Sequence, residues 1–140
     1  MTEPLQFATG VLKAMGHPVR LRILVMLRDG ELCVCQMTAL LDLATSTVSA
    51  HLSDLKRAGL ISERKDGRWV FYRLVDPEPP VLASVWETVS KDAQVQADAK
   101  LLRQIRKVDI AELCRVDLDL KRLGIRRPEP GRAAAGRRTT

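Results

Sequence analysis

Aromatic side chains are scarce in this 140-residue chain: two Trp, two Phe and one Tyr make up 4% of it. A hydrophobic core therefore has to be built from Leu, Val, Ile and Ala. No apolar run approaches the ~18 residues that a membrane-spanning helix needs. Residues 1–12 show no basic start leading into an apolar stretch, so a secretory leader is not expected. Histidine occurs twice and cysteine three times. An odd cysteine count argues against a disulfide framework. In the reducing cytoplasm, where this chain is expected, the cysteines are thiols or metal ligands. No His/Asp or carboxylate constellation marks a catalytic centre, so neither an enzyme nor an organic cofactor is expected.

The formal net charge is +6. Residues 126–140 hold five Arg and one Glu and so account for most of it, which makes the charge weak evidence by itself for a nucleic-acid partner. That Arg/Pro/Gly/Ala-rich stretch is expected to be a disordered basic tail.

Apolar positions at helical spacing predict a helix over residues 5–15. Gly16-His17-Pro18 then breaks the chain, and a nearly wholly apolar core helix follows over residues 19–27. A third short helix is expected over residues 33–41, a tight turn at Asp42-Leu43-Ala44, and a fourth helix over residues 45–57. The period then changes from 3.6 to 2: strands are expected over residues 60–65 and 68–75, with Asp66-Gly67 as the hairpin turn. After the Asp76-Pro77-Glu78-Pro79-Pro80 linker, one long helix is expected over residues 81–108. Its apolar stripe, Val81 to Ile105, is larger than a single small domain needs. Residues 109–125 are expected to form a short amphipathic extension carrying Cys114. The expected organisation is a domain over residues 1–108, this extension, and the tail over residues 126–140.

Two helices joined by a three-residue turn match the spacing of a helix-turn-helix. On the second, Val48, Leu52 and Leu55 share a buried face, while Thr45, Ser46, Thr47, Ser49, Ala50 and Ser53 lie opposite and Arg57 closes the helix. Small, hydroxyl-rich side chains allow close approach to a DNA major groove and can contact phosphates or base edges, and the helix N-terminus adds backbone N–H groups. Alternatively, Thr45 or Ser46 is simply an N-cap. The hairpin that follows carries Arg64, Lys65 and Arg68 about its tip, charges that could also be merely solvated. Helix-turn-helix plus basic hairpin is the winged-helix plan. The expected fold is thus mainly α, with about five helices and a two-stranded wing, bound to double-stranded DNA. His51 reads as a structural or phosphate-contacting residue rather than a metal ligand. His17 reads as part of a turn.

Thiolates select soft, thiophilic ions, and Cys33-Val34-Cys35 places two of them one residue apart. A buried cysteine can equally be a small hydrophobe. Residues two apart on an α-helix point about 200° apart, so the pair can share an ion only where the backbone leaves the helix. Ion binding is therefore expected to strain or unwind the helix that braces the recognition helix. Cys114 either supplies a third thiolate, in cis or in trans, or packs beside Leu113 and Leu118.

The block from Glu31 to Leu74 resembles the ArsR/SmtB family of winged-helix, metal-sensing repressors. The similarity rests on Glu31-Leu32-Cys33-Val34-Cys35, on Thr47-Val48-Ser49-Ala50-His51-Leu52-Ser53-Asp54-Leu55-Lys56-Arg57-Ala58-Gly59-Leu60-Ile61, on Gly67-Arg68-Trp69-Val70-Phe71-Tyr72-Arg73-Leu74, and on the run His17 to Leu24. It implies a homodimer formed through the first and last helices, a palindromic operator, and repression relieved by a bound ion. Arsenite-responsive members of that family carry a further cysteine where this chain has Thr38. Cadmium and lead sensors add cysteines before the second helix, and zinc, nickel and cobalt sensors use His and carboxylates on the last. Residues 1–30 contain no Cys and residues 81–108 no His, so the resemblance favours As(III), then Sb(III), at Cys33 and Cys35, and the third thiolate, missing at Thr38, is expected from Cys114. The competing readings are a thiol-redox or persulfide sensor of the same fold, a thiol oxidoreductase, which would want a βαβ setting, and a DNA-binding protein with inert cysteines.

Overall fold

The computed structural model describes residues 3–129. Helix α1 (Pro4–Met15) starts with proline at its first turn, where the missing N–H costs nothing. Helix α2 (Pro18–Met26) starts the same way, and His17 is its N-cap, with Nδ1 accepting from the Val19 N–H at 3.1 Å. Strand β1 (Leu32–Cys33) leads directly into α3 (Val34–Leu41), and a left-handed Asp42 ends that helix. The recognition-type helix α4 (Thr45–Arg57) follows. Val48, Leu52 and Leu55 on its inner face are fully buried, which is the stripe expected from the 3.6-residue period.

Strands β2 (Ile61–Asp66) and β3 (Trp69–Leu74) form the wing hairpin. Asp66 pairs with Trp69, so the turn residues are Gly67 and Arg68, one later than expected. Gly67 has φ +60, the first central position of a type II′ turn, where a side chain would be strained. The sheet has three strands, not two: β1 joins the outer side of β3, giving the antiparallel order β1-β3-β2.

The single helix expected over residues 81–108 is two, α5 (Val81–Val89) and α6 (Ala93–Arg106). Asp92 caps α6 by accepting from the Val95 N–H at 3.1 Å. Val89 and Ala93 keep the four-residue apolar spacing across the break, so periodicity alone does not reveal it. Much of the surplus stripe is used within the chain. Ala97, Leu101, Leu102 and Ile105 are buried, and α6 lies against α2 and α3. Arg22 clamps α6 through a bidentate pair with the buried Asp98, at 2.8 and 2.9 Å. Helix α1 instead leaves Leu5, Phe7 and Leu12 exposed.

Helix α7 (Ile110–Arg115) then packs on α3 and a 3-10 turn (Leu120–Leu123) follows, with Leu113, Val116, Leu120 and Ile125 buried. The Arg127 guanidinium donates to the Leu40 carbonyl at 2.6 Å and to the Ala39 carbonyl. It thereby satisfies end carbonyls of α3 that have no partner within the helix. Arg127, the second residue of the expected tail, thus holds the C-terminal end of α3. The remainder of that tail, residues 130–140, lies outside the described residues.

Candidate nucleic-acid interface and thiolate site

All ten side chains expected to face DNA are exposed: Thr45, Ser46, Thr47, Ser49, Ala50, Ser53, Arg57, Arg64, Lys65 and Arg68. The N-cap of α4 is Ala44, and no side chain caps that helix. The hydroxyls of Thr45, Ser46 and Thr47 are therefore not N-caps, and the first-turn N–H groups stay open to a phosphate. On the wing, neither Lys65 nor Arg68 has a carboxylate partner among the described residues, and Arg68 lies over the Trp69 ring at 4.5 Å. Arg57 is tied only loosely, to Asp54 at 3.3 Å. Arg64 differs: Glu31 holds it at 2.5 and 3.0 Å, and each partner reinforces the other's charge. The Arg64 hydrogen bond pulls the Glu31 carboxyl below its usual range, and the Glu31 carboxylate pushes the guanidinium up.

His51 stands at the edge of α4 with its ring 4.5 Å from that of His17. Burial, then the nearby charges of His17 and Arg20, push its pKa down. It holds α4 against the start of α2, so His17 is an N-cap and a packing partner rather than a plain turn residue.

The cysteines meet at the opposite end of the helix-turn-helix. Cys33 is not helical. It is the last residue of β1 and the extended N-cap of α3, with φ −75 and ψ 149. Its backbone N–H donates to Gln36 Oε1 at 2.8 Å. Because only Cys35 belongs to the helix, the two Sγ atoms converge to 2.7 Å. The expectation that α3 must unwind for both sulfurs to face one ion is therefore corrected: the strand-to-helix junction already turns them together.

Cys33 is buried and Cys35 half-buried. The hydrogen bond between the Cys33 and Cys35 sulfurs, in which either can donate, is the leading influence on both groups. With the backbone N–H groups of Cys35, Val70 and Val34 it outweighs burial and holds the Cys33 pKa down to about 6. The same hydrogen bond, reinforced by burial and by the charges of Cys33 and Cys114, pushes Cys35 upward. The pair is thus driven apart, one sulfur toward the thiolate and the other toward the thiol. Cys114, on α7, is half-buried and near enough to Cys35 for its charge to push that thiol up. Sulfur–sulfur contact at hydrogen-bond distance is confined, among the described residues, to Cys33 and Cys35. No group of three or more His, Cys, Asp or Glu is already arranged to hold a metal ion among those residues. The three sulfurs therefore form an open set that Cys114 would have to close. Thr38 lies one turn along α3 from Cys35, buried, with its hydroxyl unpartnered.

Sequence reasoning missed the tie between Arg64 and Glu31, which are 33 residues apart. It also missed β1, too short at two residues to show a period.

Residues 17–63 match the model of the bacterial regulatory protein, arsR family. The arsenical resistance operon repressor of Escherichia coli is 34% identical over 106 residues, covering 73% of this chain and 91% of that protein. The arsenic resistance transcriptional regulator ArsR1 of Pseudomonas putida is 44% identical over 81 residues; the match spans 57% of this chain and 59% of that relative's length. Among solved structures, HlyU from Vibrio cholerae superimposes with a TM-score of 0.53 at 37% identity, covering 64% of this chain and 94% of that one. With an open recognition helix, a basic wing and these relatives, the chain belongs to the arsR family of bacterial regulatory proteins, which are DNA-binding transcriptional regulators and not enzymes.

Proposed function

We propose that the protein is a homodimeric repressor of a palindromic operator, working in the cytoplasm and released when As(III), or next Sb(III), binds Cys33, Cys35 and Cys114. The observation that carries this reading is the 2.7 Å Cys33–Cys35 approach at the root of the helix-turn-helix, with Cys114 beside it. Trivalent arsenic is thiophilic, and the donor set here is sulfur alone. The names of the E. coli and P. putida relatives point the same way.

On the DNA side, α4 would enter the major groove through Thr45, Ser46, Thr47, Ser49, Ala50 and Ser53. Arg57, Lys65 and Arg68 would meet the backbone. Two copies would join through α1 and α5. Leu5 is 81% and Leu12 59% exposed, and Phe7, Ala8, Val11 and Leu12 line an apolar groove with Pro79, Pro80 and Val81. The test is operator release, followed by fluorescence anisotropy on an operator selected in vitro. Arsenite should dissociate the wild type, and Cys114→Ser should need far more arsenite. Release of the mutant at the wild-type concentration would remove Cys114 from the site.

One observation favours the redox alternative. The Cys33 thiol is pulled toward its thiolate, the form that peroxide oxidises. Two thiols would lose two electrons and two protons to form a disulfide, while hydrogen peroxide becomes two waters. Release by peroxide without arsenite, reversed by dithiothreitol, would establish that reading instead.

A further inference from the structure

Register places three side chains in one row across the sheet. Cys33 on β1 pairs with Phe71 on β3, and Phe71 pairs with Arg64 on β2. Directly paired residues project from the same face, so the thiolate, the ring and the guanidinium follow one another on one side. The contacts agree with that register. The Arg64 guanidinium lies over the Phe71 ring, 4.6 Å from its centre. Val70 stands next to Phe71 on the same strand. Glu31, two residues before Cys33, closes the row by gripping Arg64 with both carboxylate oxygens. The same segment is fastened to α6, where Arg106 donates to the Glu31 and Gly30 carbonyls at 3.2 and 3.3 Å.

We propose that the row Cys33–Phe71–Arg64, closed by Glu31, couples the thiolate site to the DNA-contacting wing, and that Arg64 and Glu31 are positioning residues rather than DNA contacts. This rests on the regulatory reading above and deepens it by naming the route. An ion held at Cys33 pulls on the residue paired with Phe71, so the junction of β1 and β3 shifts and carries the wing with it. Arg64 suits such a tie because its planar fork matches one carboxylate bidentately. It suits a phosphate contact poorly, since Glu31, with Asp66 at 3.8 Å, surrounds it with negative charge. Lys65 and Arg68 carry no such shield.

Glu31→Gln and Arg64→Met test the proposal, the second keeping an unbranched stem over Phe71. Both should bind operator with the wild-type salt dependence, because no phosphate contact is removed. In both, the factor by which arsenite weakens operator binding should fall roughly three- to tenfold, with arsenite binding itself intact. Exchanging the pair, Glu31→Arg with Arg64→Glu, should restore much of the factor. An unchanged factor in the single variants overturns the proposal. So does a salt slope lower by about one in Arg64→Met with the factor unchanged, since that would mark a simple phosphate contact. A second measurement does not depend on arsenite being the signal. In a Trp86→Phe background Trp69 reports on the wing alone. Alkylating Cys33 with iodoacetamide should shift its emission in the parent and leave it unmoved once Glu31→Gln is added. Equal shifts in both overturn the coupling, whereas failure of arsenite to release the wild type, with the Trp69 difference intact, overturns only the arsenite reading.

Discussion

Two helices of the helix-turn-helix begin in opposite ways. The first turn of α3 is closed. Its N-cap, Cys33, is 2% exposed, Gln36 takes the cap N–H, and the positive end of the helix is answered by the chain's own thiolate. The first turn of α4 is open. Its N-cap is Ala44, no side chain caps it, and Thr45, Ser46 and Thr47 point to solvent. A helix N-terminus attracts negative charge wherever it lies. Here one attracts charge supplied from inside, suited to sensing, and the other waits for charge from outside, suited to binding a phosphate.

The widest gap between the two ends should appear on removing the internal charge. Cys33→Ser should raise the arsenite needed for release by at least about a hundredfold while leaving operator binding without arsenite near wild type, as anisotropy titrations would show. Next in size, Gln36→Leu would leave the buried Cys33 N–H without its acceptor. Chemical denaturation should find a loss of about 1–3 kcal/mol, which a solvated helix start would not show.

The pH dependence of Cys33 tests the same end. Its pKa is held down to about 6, so the thiolate is present above that pH and is lost as the pH falls through it. Iodoacetamide should label Cys33 about tenfold more slowly at pH 5 than at pH 7 to 8. A midpoint near 9 would mean that the helix start does not stabilise the thiolate. At the open end, Ala44→Asp should supply the missing cap and stabilise the fold by about 1 kcal/mol, yet weaken operator binding by putting a carboxylate where the proposed phosphate contact would form. Tighter binding would place the DNA elsewhere. The smallest effect expected is that of Lys65→Ala, a salt slope lower by about one with no change in the response to arsenite.

Local periodicity made much of this legible. The inner face of α4, the three-residue turn before it and the strand hairpin are each written in neighbouring residues, and burial follows the stripe Val48, Leu52, Leu55. Helix α3 starts at Val34, one residue later than apolar spacing indicates, because that spacing does not distinguish a cap from a first helical residue. That single residue decided whether Cys33 and Cys35 diverge or meet. The helix break before Asp92 was hidden by unbroken apolar spacing.

The chain's amino-acid order by itself determined that a thiol pair stands at the root of a DNA-reading unit, because both are local patterns. Only the tertiary structure decided what surrounds that pair. Cys114 comes near Cys35 because α7 packs on α3, and Arg64 answers to Glu31 because β1 joins the wing. These neighbours are far apart in sequence, and hydrophobic burial and strand pairing bring them together without leaving a periodic trace in the chain.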